Sequence, residues 1–180
     1  MHFEGRPVRP FFRQEVSPMA RLFVVVRPAG TDGHWQGGWI DIEDTGTGYP
    51  DTLGALAGRS REDWHVLAYE GLPDFGPHPD PQELLAYLDA VEDYGDAFEA
   101  LWANRCFASV LQAADAFADA YQGTYPDPGA WARDTFQRLG ERLASGSGFN
   151  AEAYVRKALA KGEVQFLPAS GGGVHVFWCN

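Results

Sequence analysis

Pro73–Pro81 (PDFGPHPDP) is the stretch on which the reading of this 180-residue chain turns. Four of its nine residues are proline. Each lacks a backbone N–H and fixes φ, so most of the stretch is barred from helix and sheet alike. The hydrophobic period is near two before it and near 3.6 after it. That change predicts an α+β fold, with a small sheet first and helices later.

Downstream, Asp80 reads as an N-cap, Pro81 suits a first helical turn, and Glu83 stands where a capping box takes its acid. Leu84, Leu88 and Val91 fall on one stripe, Gly95 ends or kinks the helix, and Phe98, Leu101 and Trp102 continue the apolar pattern. Phe107, Val110, Leu111, Ala114, Phe117 and Tyr121 then follow helical spacing, with Gly123 at the C-terminal cap position. Asp127 and Pro128 open a helix carrying Trp131, Phe136, Leu139 and Leu143. Ser145–Gly148 (SGSG) is a flexible break, and Asn150 opens a last helix with Tyr154, Val155 and Leu159, ending near Gly162. Val164–Leu167 and Val174–Trp178 flank a glycine turn as a hairpin.

Upstream, Arg21–Arg27 (RLFVVVR) reads as a buried strand, Ala29–Gly38 (AGTDGHWQGG) as turn, and Trp39–Ile42 (WIDI) as the returning strand. Asp51 is placed to cap a short helix through Leu53 and Leu56 to Gly58, and His65–Tyr69 is a third strand. These elements predict an elongated chain of three small units: 21–78 with the antiparallel sheet, 79–123 with acidic helices, and 124–180 with helices and the hairpin. Residues 1–20 are expected to be an arm.

Apolar residues make up 45 % of the chain and charged residues 22 %, a globular balance. No apolar run approaches the ~18 residues of a membrane span. Pro7, Pro10 and Pro18 interrupt the start, so no secretory leader is expected and the cytoplasm is the expected compartment. Cys106 and Cys179 have neither disulfide-framework nor metal-clip spacing, and Cys106 reads as core.

The formal charge is −11, and residues 61–100 concentrate it: eleven Asp and Glu against Arg61 alone. No Lys or Arg occurs between Glu62 and Ala103. That sign opposes direct nucleic-acid binding, which needs cations against phosphate. Asp89, Glu92 or Asp93, Asp96 and Glu99 step by three or four residues, as do Asp115 and Asp119. A merely solvated helix face usually intersperses lysine, because like charges at i, i+4 repel.

Signatures of chemistry are missing. The five histidines are scattered singly, and there is no HExxH, phosphate-binding loop or GxSxG elbow. No metal or cofactor is expected. Paired carboxylates such as Glu70 and Asp74 leave open a small hydrolase. An acidic adaptor for another basic protein is a second alternative.

Four strings in order carry a family resemblance. The run from Leu22 through Trp39 and Asp41 (closing GGWID) is similar to the opening of ArdA-type antirestriction proteins. Asp63-Trp64 followed by Ala68-Tyr69-Glu70-Gly71 resembles that family's EEW…DYEG pattern. Ala116–Tyr125 (AFADAYQGTY), containing Phe117, Tyr121 and Gly123, with Ala132-Arg133-Asp134 after it, is the strongest. Phe149–Tyr154 (FNAEAY) and the final hairpin resemble the family's close. The resemblance implies a homodimeric, non-catalytic inhibitor whose acidic surface imitates bent B-form DNA in the groove of type I restriction–modification enzymes. On that reading the mimic surface comprises Glu62, Asp63, Glu70, Asp74, Asp80, Glu83, Asp89, Glu92, Asp93, Asp96, Glu99, Asp115, Asp119 and Asp127. Trp39, Asp41, Trp64, Tyr69, Gly71, Phe117, Tyr121, Gly123 and Tyr154 would be structural.

Overall fold

A computed structural model describes residues 20–27, 34–42, 59–140 and 148–179. The expected arm up to residue 19, the short helix from Asp51 to Gly58 and Ser145–Ser147 lie outside these residues. The fold is mixed α+β, and the chain divides into two compact units, Met1–Pro81 and Gln82–Asn180.

The first unit contains β1 (Arg21–Val26), β2 (Gln36–Asp41) and β3 (Trp64–Glu70), antiparallel in the order β2-β1-β3. Alternation along β1 sends Leu22 and Val24 into the core beside Trp64 and Val66. β2 begins inside the expected turn, because Gly37 has a packing task. It faces Val25, and a Cβ there would stand 2.8 Å from the Phe23 ring and 3.1 Å from Val25 Cγ1.

The proline stretch is irregular but folded back onto β3. Val66 N–H donates to Pro77 O at 2.8 Å, and Tyr69 Oη–H to Gly76 O at 2.6 Å. His78 Nε2 lies 2.8 Å from the carbonyls of both Arg61 and Trp64. Carbonyls only accept, so Nε2 carries the proton. The prolines deny the stretch a ladder of its own, and β3 supplies its partners instead.

The second unit contains α1 (Pro81–Tyr94, whose first residue is the boundary), α2 (Asp96–Asn104), α3 (Val110–Ala120), β4 (Tyr121–Tyr125), α4 (Pro128–Gly140), α5 (Ala151–Ala160), β5 (Val164–Pro168) and β6 (Val174–Trp178). Its sheet is antiparallel in the order β4-β6-β5. β6 is central and packs on both faces, which is why VHVFW reads as a nearly continuous apolar run. Val176 joins Trp131, Ala132, Ala158 and Val164 on one side, with Val174 and Trp178 packed against that cluster. His175 and Phe177 turn the other way, toward Asp96 and Phe117. The sheet therefore lies between α4 and α5 on one face and α2 and α3 on the other.

Four sequence readings change here. The stripe expected through Leu84, Leu88 and Val91 is rotated, since the buried residues of α1 are Leu84, Tyr87 and Ala90. The stripe through Phe107, Leu111 and Ala114 is rotated: α3 starts at Val110 after the N-cap Ser109, and its buried residues are Val110, Ala113, Phe117 and Ala120. Leu111 is 68 % exposed. Tyr121 leaves the helix as the first residue of β4, and Gly123, with φ +118°, occupies a bulge against β6 instead of a helix cap. A five-residue strand after a long helix is hidden by the helical spacing that runs into it. Cys106 is exposed rather than core, in the link between α2 and α3.

Glu83 also takes a different partner. Its Oε2 accepts the N–H of Val110 at 2.7 Å, so α1 caps the first turn of α3. Glu83→Ala is expected to destabilise the protein by about 1–2 kcal/mol, as loss of a charged cap does. A urea melt with an unchanged midpoint would rule that role out.

Candidate functional site

The fourteen acids singled out in the sequence do not share one environment. In the first unit, Glu70 pairs with Arg21 at 2.6 Å, and Asp74 Oδ1 accepts the N–H of Gly76 at 2.7 Å. Glu62 is exposed, Asp63 half-buried and Asp80 exposed. A hollow of about 370 Å³ is lined by Val66–Tyr69, Leu72, Asp74, Gly76 and Pro77. Glu70 is not among its lining residues, so the hollow does not bring together the pair a hydrolase would need.

In the second unit, Glu83 caps α3 and Asp127 caps α4, its Oδ1 accepting Ala130 N–H at 2.8 Å. Asp96 is tied to Ser170 and His175. Burial opposes its charge, but the bonds from the Ser170 hydroxyl and N–H, with His175 beside them, hold its carboxyl below the usual range.

Six acids remain: Asp89, Glu92 and Asp93 on α1, Glu99 on α2, and Asp115 and Asp119 on α3. All are exposed, and none makes a side-chain hydrogen bond or ion pair among the described residues. Their placement follows from helix periodicity. Leu84, Tyr87 and Ala90 bury one side of α1, which turns Asp89, Glu92 and Asp93 outward. Val110, Ala113 and Phe117 do the same for Asp115 and Asp119. Tyr87 feels the nearest of these charges: burial raises its phenol pKa, and Glu99 raises it further.

Arg105 is the one Lys or Arg between Arg61 and Arg133. Its Nε donates to Gln165 Oε1 at 3.0 Å, and its guanidinium lies 5.9 Å from the Phe177 ring centroid. The sheet thus occupies the only cation that could have neutralised the helical acids from within this stretch. Its commitment was not visible in sequence, because Gln165 lies sixty positions away.

The motif residues sit largely in packing. Trp64 is 2 % exposed, and Phe117 stacks between Tyr94 and Tyr121 at 4.5 and 4.6 Å. Tyr125 Oη–H donates to Asp134 Oδ2 at 3.0 Å, which ties the GTY string to the ARD string, and Tyr154 lies 5.7 Å from Trp131. Gly71, with φ +70°, turns the chain out of β3. Trp39 is different: it is 45 % exposed on β2, under the Arg21 guanidinium at 4.6 Å, and Asp41 is exposed beside it.

Among the described residues there is no group of three or more His, Cys, Asp or Glu placed to hold a metal ion, and no helix long and apolar enough to cross a membrane. A family model described as Antirestriction protein (ArdA) matches residues 30–171, more than half of the chain. No curated protein matches it.

Proposed function

Because the chain belongs to the ArdA antirestriction protein family, inhibitors rather than enzymes, we propose that it binds the DNA groove of a type I restriction–modification enzyme as a DNA mimic. The observation that supports this reading is the set of six exposed, unpaired carboxylates on α1, α2 and α3, with the nearby Arg105 turned into the sheet. Acids three or four residues apart stand ~4.5–6 Å apart along a helix. Duplex DNA carries about one charge per ~1.7 Å of axis. One helix is therefore too sparse, and imitation needs several helices to contribute to one surface.

We also read the protein as a homodimer acting without cofactor in the cytoplasm. Leu159, 49 % exposed on α5 beside a shallow hollow with Pro128 and Val155, supports an interface on the C-terminal helices, away from the acids of α1–α3.

A competition assay tests the reading. Duplex DNA bound to a purified type I enzyme is expected to be displaced by the protein, with an inhibition constant that weakens steeply as salt rises. Undiminished DNA binding and cleavage in the presence of excess protein would refute it.

A further inference from the structure

Asp96 begins α2, and its carboxylate is the start of a chain of polar contacts into the C-terminal sheet. Oδ2 accepts Ser170 N–H at 2.9 Å and the Ser170 hydroxyl at 2.5 Å. His175 Nε2 lies 3.2 Å from the same oxygen, off hydrogen-bond alignment. On the other side of the ring, Nδ1 is 2.9 Å from Thr124 Oγ1, which is 2.9 Å from Tyr121 Oη.

The directions of these contacts follow from what each group can do. A carboxylate oxygen only accepts, so Ser170 donates and Nε2 faces Asp96 as N–H. With one proton on the ring, Nδ1 accepts from Thr124, and Thr124 accepts from Tyr121. The His175 side chain is 3 % exposed, so water cannot substitute for these partners. Gly95, with φ +66°, makes the turn that brings Asp96 to the sheet. At the far end of α2, Arg105 is held to Gln165 of β5. The helix is therefore fastened to the sheet at both ends.

We propose that the Ser170–Asp96–His175–Thr124 contacts are a positioning device that fixes α2 on the sheet, and so fixes where Glu99, one turn further along, projects toward the partner. This rests on reading the exposed carboxylates as the binding surface. It separates Asp96 from them: Asp96 places the surface, whereas Glu99 touches the partner. The Asp96 side chain remains 38 % exposed, so contact and positioning must be told apart by measurement.

Two readouts on the full-length protein do so. Amide hydrogen exchange of α2 needs no partner. D96N and H175N are expected to speed exchange of α2 at least tenfold at a temperature where both variants remain folded, and E99Q, which removes only a first-turn charge, to speed it much less. Inhibition of a type I enzyme is then measured against salt. D96N and H175N should weaken it several-fold without changing the log–log salt slope, whereas E99Q should lower that slope measurably, because a screened charge contact is lost. If H175N does not fold, S170A, at an exposed turn, should shift exchange in the same direction by less.

Unchanged α2 exchange in D96N and S170A overturns the proposal. A slope lowered in D96N as much as in E99Q also overturns it, by making Asp96 a contact residue. Faster exchange with no salt-dependent binding by any form would leave the fastening intact and refute the DNA-mimic reading instead.

Discussion

Changing Asp89, Glu92, Asp93, Glu99, Asp115 and Asp119 together to their amides will abolish most inhibition of the restriction enzyme and leave the protein folded. Each exposed ion pair contributes about 0.2–1 kcal/mol, so six together are expected to cost ~10–10⁴-fold in affinity. The salt slope should flatten as well, because the contacts that salt screens are removed. The fold should tolerate the change, since none of the six holds another side chain in place among the described residues. Thermal stability is expected to stay level or rise slightly, because Asp115 and Asp119 repel at i, i+4. Titration of the purified enzyme at two salt concentrations, with a melt of the variant, checks both halves. Unaltered inhibition and slope would show that these acids are only a solvated face.

Gly173→Ala is expected to have the largest effect on stability among alanine changes at the described glycines, about 2–4 kcal/mol. Gly173 has φ +88°, where an L side chain costs about 1 kcal/mol. A Cβ would also press on the carbonyl of Tyr125 and on Pro126 Cα, and backbone cannot rotate aside as a side chain can. That overlap adds about 1–3 kcal/mol and falls where Tyr125 of β4 pairs with Val174 of β6. Gly172 is the control. Its φ is +90°, yet nothing stands within 4 Å of its would-be Cβ. Gly172→Ala should therefore show the conformational cost alone, roughly 1 kcal/mol. Equal denaturation midpoints for the two variants would remove close approach as the cause.

Much of the fold was legible because local chemistry and tertiary position agree. Arg21–Val26, Trp64–Glu70 and the Val164–Trp178 hairpin were expected nearly where they occur, and Asn150 caps α5 through Ala153 N–H as its position implied. Gly95 and Gly162 stand at helix ends as read, and the structure gives both a positive φ. The outward placement of Asp89, Glu92, Asp93, Asp115 and Asp119 followed from the 3.6-residue period. The tally of acids against cations likewise needed only the order of residues.

Partnership was not legible. Asp127 was placed at a helix start by sequence and caps it locally, but only tertiary contacts separated Glu83 and Asp96, which hold a helix terminus and the sheet, from the six left exposed. Phe117 and Tyr121 share a helical stripe in sequence, but pairing with β6 draws Tyr121 out of the helix, because a strand is stabilised by partners fifty residues away. His175 in VHVFW reads as a stray polar residue until the sheet is packed on both faces and Asp96 arrives beside it. The sequence by itself determined which residues are charged and where the chain must stop being sheet, and it gave the faces of α1 and α3 only to within a one-residue rotation. Those properties depend on neighbours within a few positions. The tertiary structure decided which charges are already engaged, since that depends on distances between residues far apart in the chain.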